Sequence, residues 1–237
     1  MRLPAKARSR PRRRGGAGLV AAVVLGGMLL LGGIGYVGFV LWPRQLSEVP
    51  PDTPSVPVTI AGVVFNVPPA AIRQQVQRRS GAQDRIDLVF LWPSLEPPQP
   101  GRQPHTPADE PQPQSLDRLF VTIAGSEGTL PPAERMKTIY PRYTTGELRP
   151  EQDGLMVRQF GDGTPYKGED LVFDPTAPER FVARCSRAGT TPGICLTERR
   201  IGAADVVLRF PRDWLTEWRE VAAKLDYLIA TLRPPQQ

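Results

Sequence analysis

The chain has 237 residues, enough for one domain or two small ones, and its 28 prolines and 22 glycines indicate that part of it forms no packed core. One histidine, His105, and two cysteines, Cys185 and Cys195, exclude a zinc finger, an iron–sulfur protein and a multi-histidine metal site, and we expect no cofactor. The net charge is +6, but seven cations lie in the first sixteen residues, and the rest of the chain has 23 basic against 24 acidic residues. Because a nucleic-acid-binding domain carries its basic residues on its folded part, we predict no binding of nucleic acid.

Residues 1–16 form a basic tail, and residues 17–42 follow it without a single charged side chain. A helix of that length measures about 39 Å and exceeds a hydrocarbon core of roughly 30 Å. We therefore predict one transmembrane helix over 17–42, with the lipid bilayer as its partner. Cations beside a span stay in the cytoplasm, so the tail is expected inside and the C-terminal domain in the periplasm of a bacterium. The topology determinants are Arg10, Arg12, Arg13 and Arg14.

Two alternatives concern the same segment. A cleaved signal peptide also begins with a basic stretch before an apolar one, but its apolar part is usually shorter and ends at a small-residue cleavage site that is not evident here. Gly18, Ala22 and Gly26 lie four residues apart and could pair two such helices into a homodimer. The same glycines also fit the ordinary tolerance of membrane helices for this residue.

Proline-rich segments divide the rest of the chain. Residues 43–55 read as a semi-rigid linker that separates the membrane from a domain over 56–233. Residues 93–113 carry eight prolines between two strand-like runs and are predicted to be a disordered insertion in that domain. Residues 234–237 are a short tail.

An internal repeat lies within the predicted domain. Val58–Gly62 recurs letter for letter as Val121–Gly125, and a Pro-Pro-Ala sequence follows each copy at the same offset. Each copy predicts a strand and then a short helix that begins at the prolines. An old duplication, two similarly built lobes and chance all remain open as explanations.

The remaining strand-like runs lie close together along the chain, separated by Gly, Pro and Asp turns. Short links favour antiparallel neighbours. The runs span 85–92, 116–124, 155–160, 170–173, 180–187, 193–201 and 204–210. The sequence thus predicts an α+β domain of mostly antiparallel strands with two short helices.

The last predicted element covers 211–232. Apolar residues recur there at alternating spacings of four and three, from Trp214 and Trp218 to Leu232. The stripe could form a coiled-coil seam, but three heptads are few, and we expect this helix to pack on the sheet.

Catalytic signatures are scarce in this sequence. His105 lies in the proline-rich insertion, and no histidine follows Ser126 in the order that a serine hydrolase requires. Cys185 and Cys195 lie on two strand-like runs joined by a short turn, where an oxidising periplasm would bond them. Two free thiols or a redox pair are the alternatives, although the spacing is not that of a C-x-x-C motif. We expect no catalytic, cofactor-binding or metal site.

The tail, the apolar segment, the Val58–Gly62 motif, the cysteine pair and the run Phe210–Leu215 together resemble single-pass inner-membrane proteins of alphaproteobacteria. That resemblance implies a location and no activity. We therefore expect a membrane-anchored periplasmic interaction or scaffold protein of the cell envelope, with an envelope protein as its partner. The alternative is a tethered periplasmic enzyme, a hydrolase that acts through carboxylates.

Overall fold

The computed structural model describes residues 25–33, 36, 53–98, 117–187, 189 and 193–234. The chain divides into two compact units, Met1–Ser47 and Glu48–Gln237. In the first unit, residues 25–33 and 36 are helical. No helix in the described part of the chain is both long and apolar enough to cross a membrane.

Several sequence predictions lie outside the described residues. These are the basic tail 1–16 with Arg10, Arg12, Arg13 and Arg14, most of the predicted span 17–42, most of the linker 43–55, residues 99–113 of the insertion and residues 235–237.

The second unit begins with a small sheet. Strands β1 (Val56–Ile60) and β2 (Val63–Val67) form an antiparallel hairpin, and β3 (Gly81–Ala82) pairs with β1 in parallel. Ala61 and Gly62 make the two-residue turn with φ angles of 46° and 82°. Two positive φ values in succession are what a tight hairpin turn requires.

A second, eight-stranded sheet forms the larger part of the unit, and every neighbouring pair in it is antiparallel. Its strands are β4 (Arg85–Leu91), β5 (Arg118–Gly125), β6 (Thr144–Pro150), β7 (Met156–Phe160), β8 (Glu169–Phe173), β9 (Val182–Ser186), β10 (Ile194–Ile201) and β11 (Ala204–Pro211). Their order across the sheet is β4-β5-β11-β10-β9-β8-β7-β6. Strands β6 to β11 therefore form a continuous meander, which β5 and β4 extend on one side.

Helices are few in this unit. Two short ones, α1 (Pro132–Thr138) and α2 (Tyr140–Tyr143), follow β5, and α3 (Trp218–Leu232) ends the described chain. Three-residue 3₁₀ helices cover Pro69–Ala71, Gln75–Gln77 and Gln152–Gly154, and a longer one, Arg212–Glu217, leads into α3.

One core holds the two sheets and α3 together. It contains β1 and β2 side chains such as Phe65, large-sheet side chains such as Leu88 and Leu208, and α3 side chains such as Trp218 and Leu225. The apolar stripe of α3 thus packs within the unit, as predicted. Trp214, just before α3, stacks on Trp92 with ring centroids 4.4 Å apart.

The predicted α+β class with mostly antiparallel strands and a C-terminal helix is confirmed. The local details differ at several places. The first Pro-Pro-Ala opens a 3₁₀ helix instead of an α-helix, β2 and β6 were not predicted, and the predicted disordered insertion is ordered at 93–98. There, Leu95 packs against the core and Leu91 N–H donates to the carbonyl of Glu96 at 2.8 Å.

Candidate interaction surface

Alternation along the strands gives the large sheet two faces of different character. On β11, the inner residues Val206, Leu208 and Phe210 are buried, whereas Val207 and Arg209 between them are half-buried. The inner face packs against α3: Arg199 of β10 pairs with Asp226 of that helix at 3.4 Å. We call the opposite side, which carries Val207 and Arg209, the outer face.

Helices α1 and α2 cover one half of the outer face. Tyr140 of α2 packs with Phe160 and Leu171 in a second, smaller core, and Tyr166 meets Tyr140 edge to face at 5.6 Å. Burial raises the pKa of Tyr140 above its ordinary value, and the nearby charge of Glu198 adds to the rise. Tyr140 is therefore a neutral packing residue at physiological pH.

An ion pair fixes α1 on the sheet. Arg135 of α1 lies 2.9 Å from the carboxylate of Glu198 on β10, and both side chains are largely buried. Such a pair stabilises one placement of the helix over others, because breaking it leaves a desolvated charge without a partner. The position of α1 relative to β10 is thereby determined.

A groove opens between α1 and strands β9 and β10. Its volume is about 790 Å³. One wall is the start of α1, the other is formed by Val182 and by the loop before β9, and most of the lining is apolar. The lining residues are Pro131, Pro132, Ala133, Met136, Lys137, Pro178, Glu179, Val182, Glu198, Arg199 and Arg200. Leu130, next to the first wall, is 46% exposed, so the apolar surface continues beyond the groove.

Most charges at the groove already have partners. Arg200 donates to Asp205 at 3.0 Å, and Arg199 and Glu198 are held by the pairs described above. Lys137 lies 3.7 Å from Glu134 in an exposed pair, which is a weak interaction. The groove therefore offers shape and apolar contact rather than a set of free reacting groups.

Beyond the groove, the outer face continues over β10, β11, β5 and β4. Leu196, Arg209, Phe120 and Val89 are direct cross-strand partners in one row, and all four are half-buried. The far boundary of this region is the 3₁₀ helix Gln75–Gln77 with its flanking residues. The two boundaries of the open half are thus the segments that follow the two Pro-Pro-Ala sequences.

Three carboxylates are buried among the described residues, those of Asp87, Asp170 and Asp174, and the first two are far apart. Asp87 on β4 points to the outer face, where Arg85, Thr122 and Gln77 donate to it. Asp170 on β8 lies on the other face, held by Arg187 at 3.0 Å and Arg212 at 2.8 Å. The two strands are five positions apart, about 24 Å. The structure therefore does not bring these two acids together as a hydrolase would need, and no group of three or more metal-ligating residues occurs among the described residues.

Cys185 and Cys195 are bonded to each other. They are direct cross-strand partners on β9 and β10, their Cα atoms are 3.9 Å apart, and both are fully buried. The pair is the one singled out in the sequence, and its position in the core makes it a structural bond.

The groove was not predicted from the sequence. Its walls come from α1, from a loop and from two strands, so no single run of residues carries the pattern. One local signal was present: the apolar run Leu130–Ala133 precedes and opens a short helix whose remaining residues, apart from Met136, are mostly charged.

Comparison with solved structures shows the fold alone. The structure of Smlt3025, an immunity protein of the Stenotrophomonas maltophilia type IV secretion system, superposes with a TM-score of 0.50 and 15% identity, covering 76% of this chain and 94% of that one. The iron-regulated outer membrane lipoprotein FrpD of Neisseria meningitidis gives a TM-score of 0.42 and 10% identity, over 77% and 96% of the two chains. No protein-family model and no curated protein matches the sequence.

Proposed function

We propose that this chain is a membrane-anchored interaction protein of the bacterial cell envelope. Residues 17–42 anchor it in the inner membrane, the basic tail stays in the cytoplasm, and the α+β domain meets a protein partner in the periplasm. The domain shares its fold with a protein named as an immunity protein, which is compatible with this role.

The observation that carries the proposal is the apolar groove beside α1. A stable monomer buries most of its large apolar side chains, and a contiguous apolar surface bounded by charged residues is typical of a protein-binding site. Here the groove has prolines, Met136 and Val182 on its walls, and most charges at its rim are held in ion pairs.

The two most buried carboxylates, those of Asp87 and Asp170, do not form the pair that a carboxylate hydrolase uses. A carboxylate hydrolase needs two acids on either side of one bond, within about 10 Å of each other. Asp87 and Asp170 lie on opposite faces, and guanidinium groups bind both. These carboxylates serve the fold.

Site-specific crosslinking in cells tests the proposal. A photo-crosslinking amino acid placed at Met136 of the full-length protein should trap a defined partner on irradiation. The matched control is the same amino acid at Tyr227, which is 66% exposed on α3 and remote from the groove lining. A partner trapped at both positions alike, or at neither, would contradict a role for the groove.

A further inference from the structure

Three arginines lie near one aromatic residue on the open half of the outer face. Arg209 of β11 is the direct cross-strand partner of Phe120 on β5. Arg73, from the segment after the first 3₁₀ helix, lies over the Phe120 ring with its guanidinium carbon 5.0 Å from the centroid. Arg118 is two residues before Phe120 and therefore on the same face. We call Arg73, Arg118, Arg209 and Phe120 the arginine patch.

These guanidinium groups are not neutralised by the fold. Among the described residues, none of the three forms an ion pair; Arg209 donates to Thr122 at 3.4 Å, and Arg73 contacts the ring. The nearest buried carboxylate, Asp87, is bound by Arg85 at 2.7 Å. Elsewhere in the unit, partly buried arginines such as Arg135, Arg184 and Arg212 each have a carboxylate partner. The patch is thus a local excess of positive charge.

Apolar side chains lie between the charges. Val89 pairs with Phe120 across β4 and β5, and Leu196 pairs with Arg209 across β10 and β11. Leu196 lies on β10, the strand whose Glu198 lines the groove. Strand β10 is two strands away from β5, which is about 10 Å. The patch and the groove therefore lie near each other on the outer face of the same sheet.

From this juxtaposition we propose that the arginine patch binds an acidic segment of the partner protein, whose carboxylates meet the three guanidinium groups while an apolar or aromatic side chain packs on Phe120. Guanidinium groups bind carboxylates with paired hydrogen bonds, and arginine and aromatic residues are enriched at protein interfaces. This inference rests on the proposed function and specifies the chemistry of the partner that the groove accommodates. An anionic lipid surface is the competing ligand for such charges, but the half-buried Phe120 and its aliphatic neighbours favour a polypeptide.

The test uses the full-length protein in neutral-lipid nanodiscs and two labelled peptides. One peptide has glutamates interspersed with phenylalanines, and its counterpart has glutamine at every glutamate. Fluorescence anisotropy should show binding of the acidic peptide and much weaker binding of the glutamine peptide. R73Q/R118Q should weaken binding of the acidic peptide by about fivefold, the range expected for two exposed charge pairs.

The matched control removes the same charge elsewhere. Arg142 on α2 and Arg149 on β6 are exposed, and neither forms an ion pair among the described residues. R142Q/R149Q should bind the acidic peptide as the wild-type protein does. Reversing the two charges should reverse the peptide preference. R73E/R118E should no longer bind the acidic peptide and should bind a peptide that has lysine in place of each glutamate.

Three outcomes would overturn the inference: equal binding of the two peptides, equal loss in both double variants, or binding only to vesicles that contain phosphatidylglycerol. If one of these occurs while the crosslinks at Met136 persist, the acidic chemistry fails and the proposed function stands. If the Met136 crosslinks are absent from the wild-type protein, the proposed function itself fails.

Discussion

At the scale of single residues, Asp87 combines burial with several donors. It is 5% exposed, and Arg85, Thr122, Gln74 and Gln77 all donate to its carboxylate. Burial alone would raise the pKa of Asp87, but the hydrogen bonds from Arg85, Thr122 and Gln77 and the charge of Arg85 outweigh it and lower the pKa. The folded state thus prefers the ionised form.

A lowered pKa makes stability depend on pH. The ionised Asp87 stabilises the fold above the pKa of the unfolded chain, about 4, and this contribution is lost as the pH falls through the lower folded value. We expect the free energy of unfolding to decrease below about pH 4. Asp87→Asn should cost about 1–3 kcal/mol at pH 7 and should flatten that decrease. Urea unfolding at pH 7 and below pH 4 measures both.

Asp162 supplies the control for this substitution. It lies exposed in a Gly-Asp-Gly turn and forms no ion pair among the described residues. Asp162→Asn should leave both stability and its pH dependence within about 0.5 kcal/mol of the wild type. If Asp87→Asn also left the stability and its pH dependence unchanged, the Asp87 carboxylate would not be the group that holds β4 to the neighbouring segments.

At the scale of elements, α3 provides a large part of the core. Trp218 is almost fully buried, its ring lies 5.2 Å from that of Phe181, and its indole N–H donates to the carbonyl of Asp153 at 3.0 Å. Trp218→Ala should cost about 3–5 kcal/mol as a core truncation. Tyr227→Ala, on the exposed side of the same helix, should cost less than 0.5 kcal/mol. Denaturant unfolding measures both, and a Trp218 variant that keeps full stability but loses self-association would make the stripe an interface.

The disulfide joins two neighbouring strands of the same sheet. Closing the loop between Cys185 and Cys195 contributes about 3 kcal/mol by restricting the unfolded chain. We expect the double variant C185A/C195A to fold, with a lower melting temperature. Intact mass after alkylation in denaturant checks the bond: no label should enter without reductant, and two labels should enter with it. Two labels without reductant would mean that the strands pair without the bond.

The sequence predicted the elements whose patterns are local. Strands with buried alternate residues, such as β11, and the helix α3 have periodic apolar positions. Strand β11 ends within one residue of its predicted bounds, whereas α3 begins at Trp218, later than the predicted residue 211, because Arg212–Glu217 form a 3₁₀ helix. Strand β6 was missed because almost all of its residues are exposed, so it shows no alternation. Strand β2 was missed because Ala61 adopts a positive φ, which a residue other than glycine rarely signals in advance.

The internal repeat shows why pairing could not be predicted. The identical residues Val58–Ile60 and Val121–Ile123 are all in strands, but β1 lies in the middle of the small sheet, whereas β5 lies between β4 and β11 in the large one. The neighbours differ because the segments that follow differ: Gly62 opens a hairpin, and Gly125 leads to α1. The groove depends on those non-local pairings, so the sequence showed at most one of its walls, the apolar start of α1.

At the scale of the whole molecule, the two edges of the large sheet are poorly suited to the addition of another strand. Beside β4, Ile72 forms an isolated bridge with Leu88. At the other edge, β6 has an irregular register between Thr145 and Arg149, and it ends in Pro150, which has no N–H to donate. Bulges and prolines at edges prevent strand addition. Strand addition at these two edges is thereby disfavoured.

The charge distribution of the full chain leads to a prediction about topology. Seven cations precede residue 17, four of them in Arg10, Arg12, Arg13 and Arg14, and only Arg44 follows closely after residue 42. Cations near a span hold their side in the cytoplasm, so the α+β unit should lie outside. Protease added to intact spheroplasts should cut the linker 43–55, release the unit and leave the tail protected until the cells are lysed.

Replacing the four arginines with glutamine should reduce the protected fraction of the tail, whereas the same change at Arg142 and Arg149 should not. A unit that resists protease until lysis would reverse the proposed topology, and an N-terminus of the mature protein beyond residue 35 would show a cleaved signal instead of an anchor.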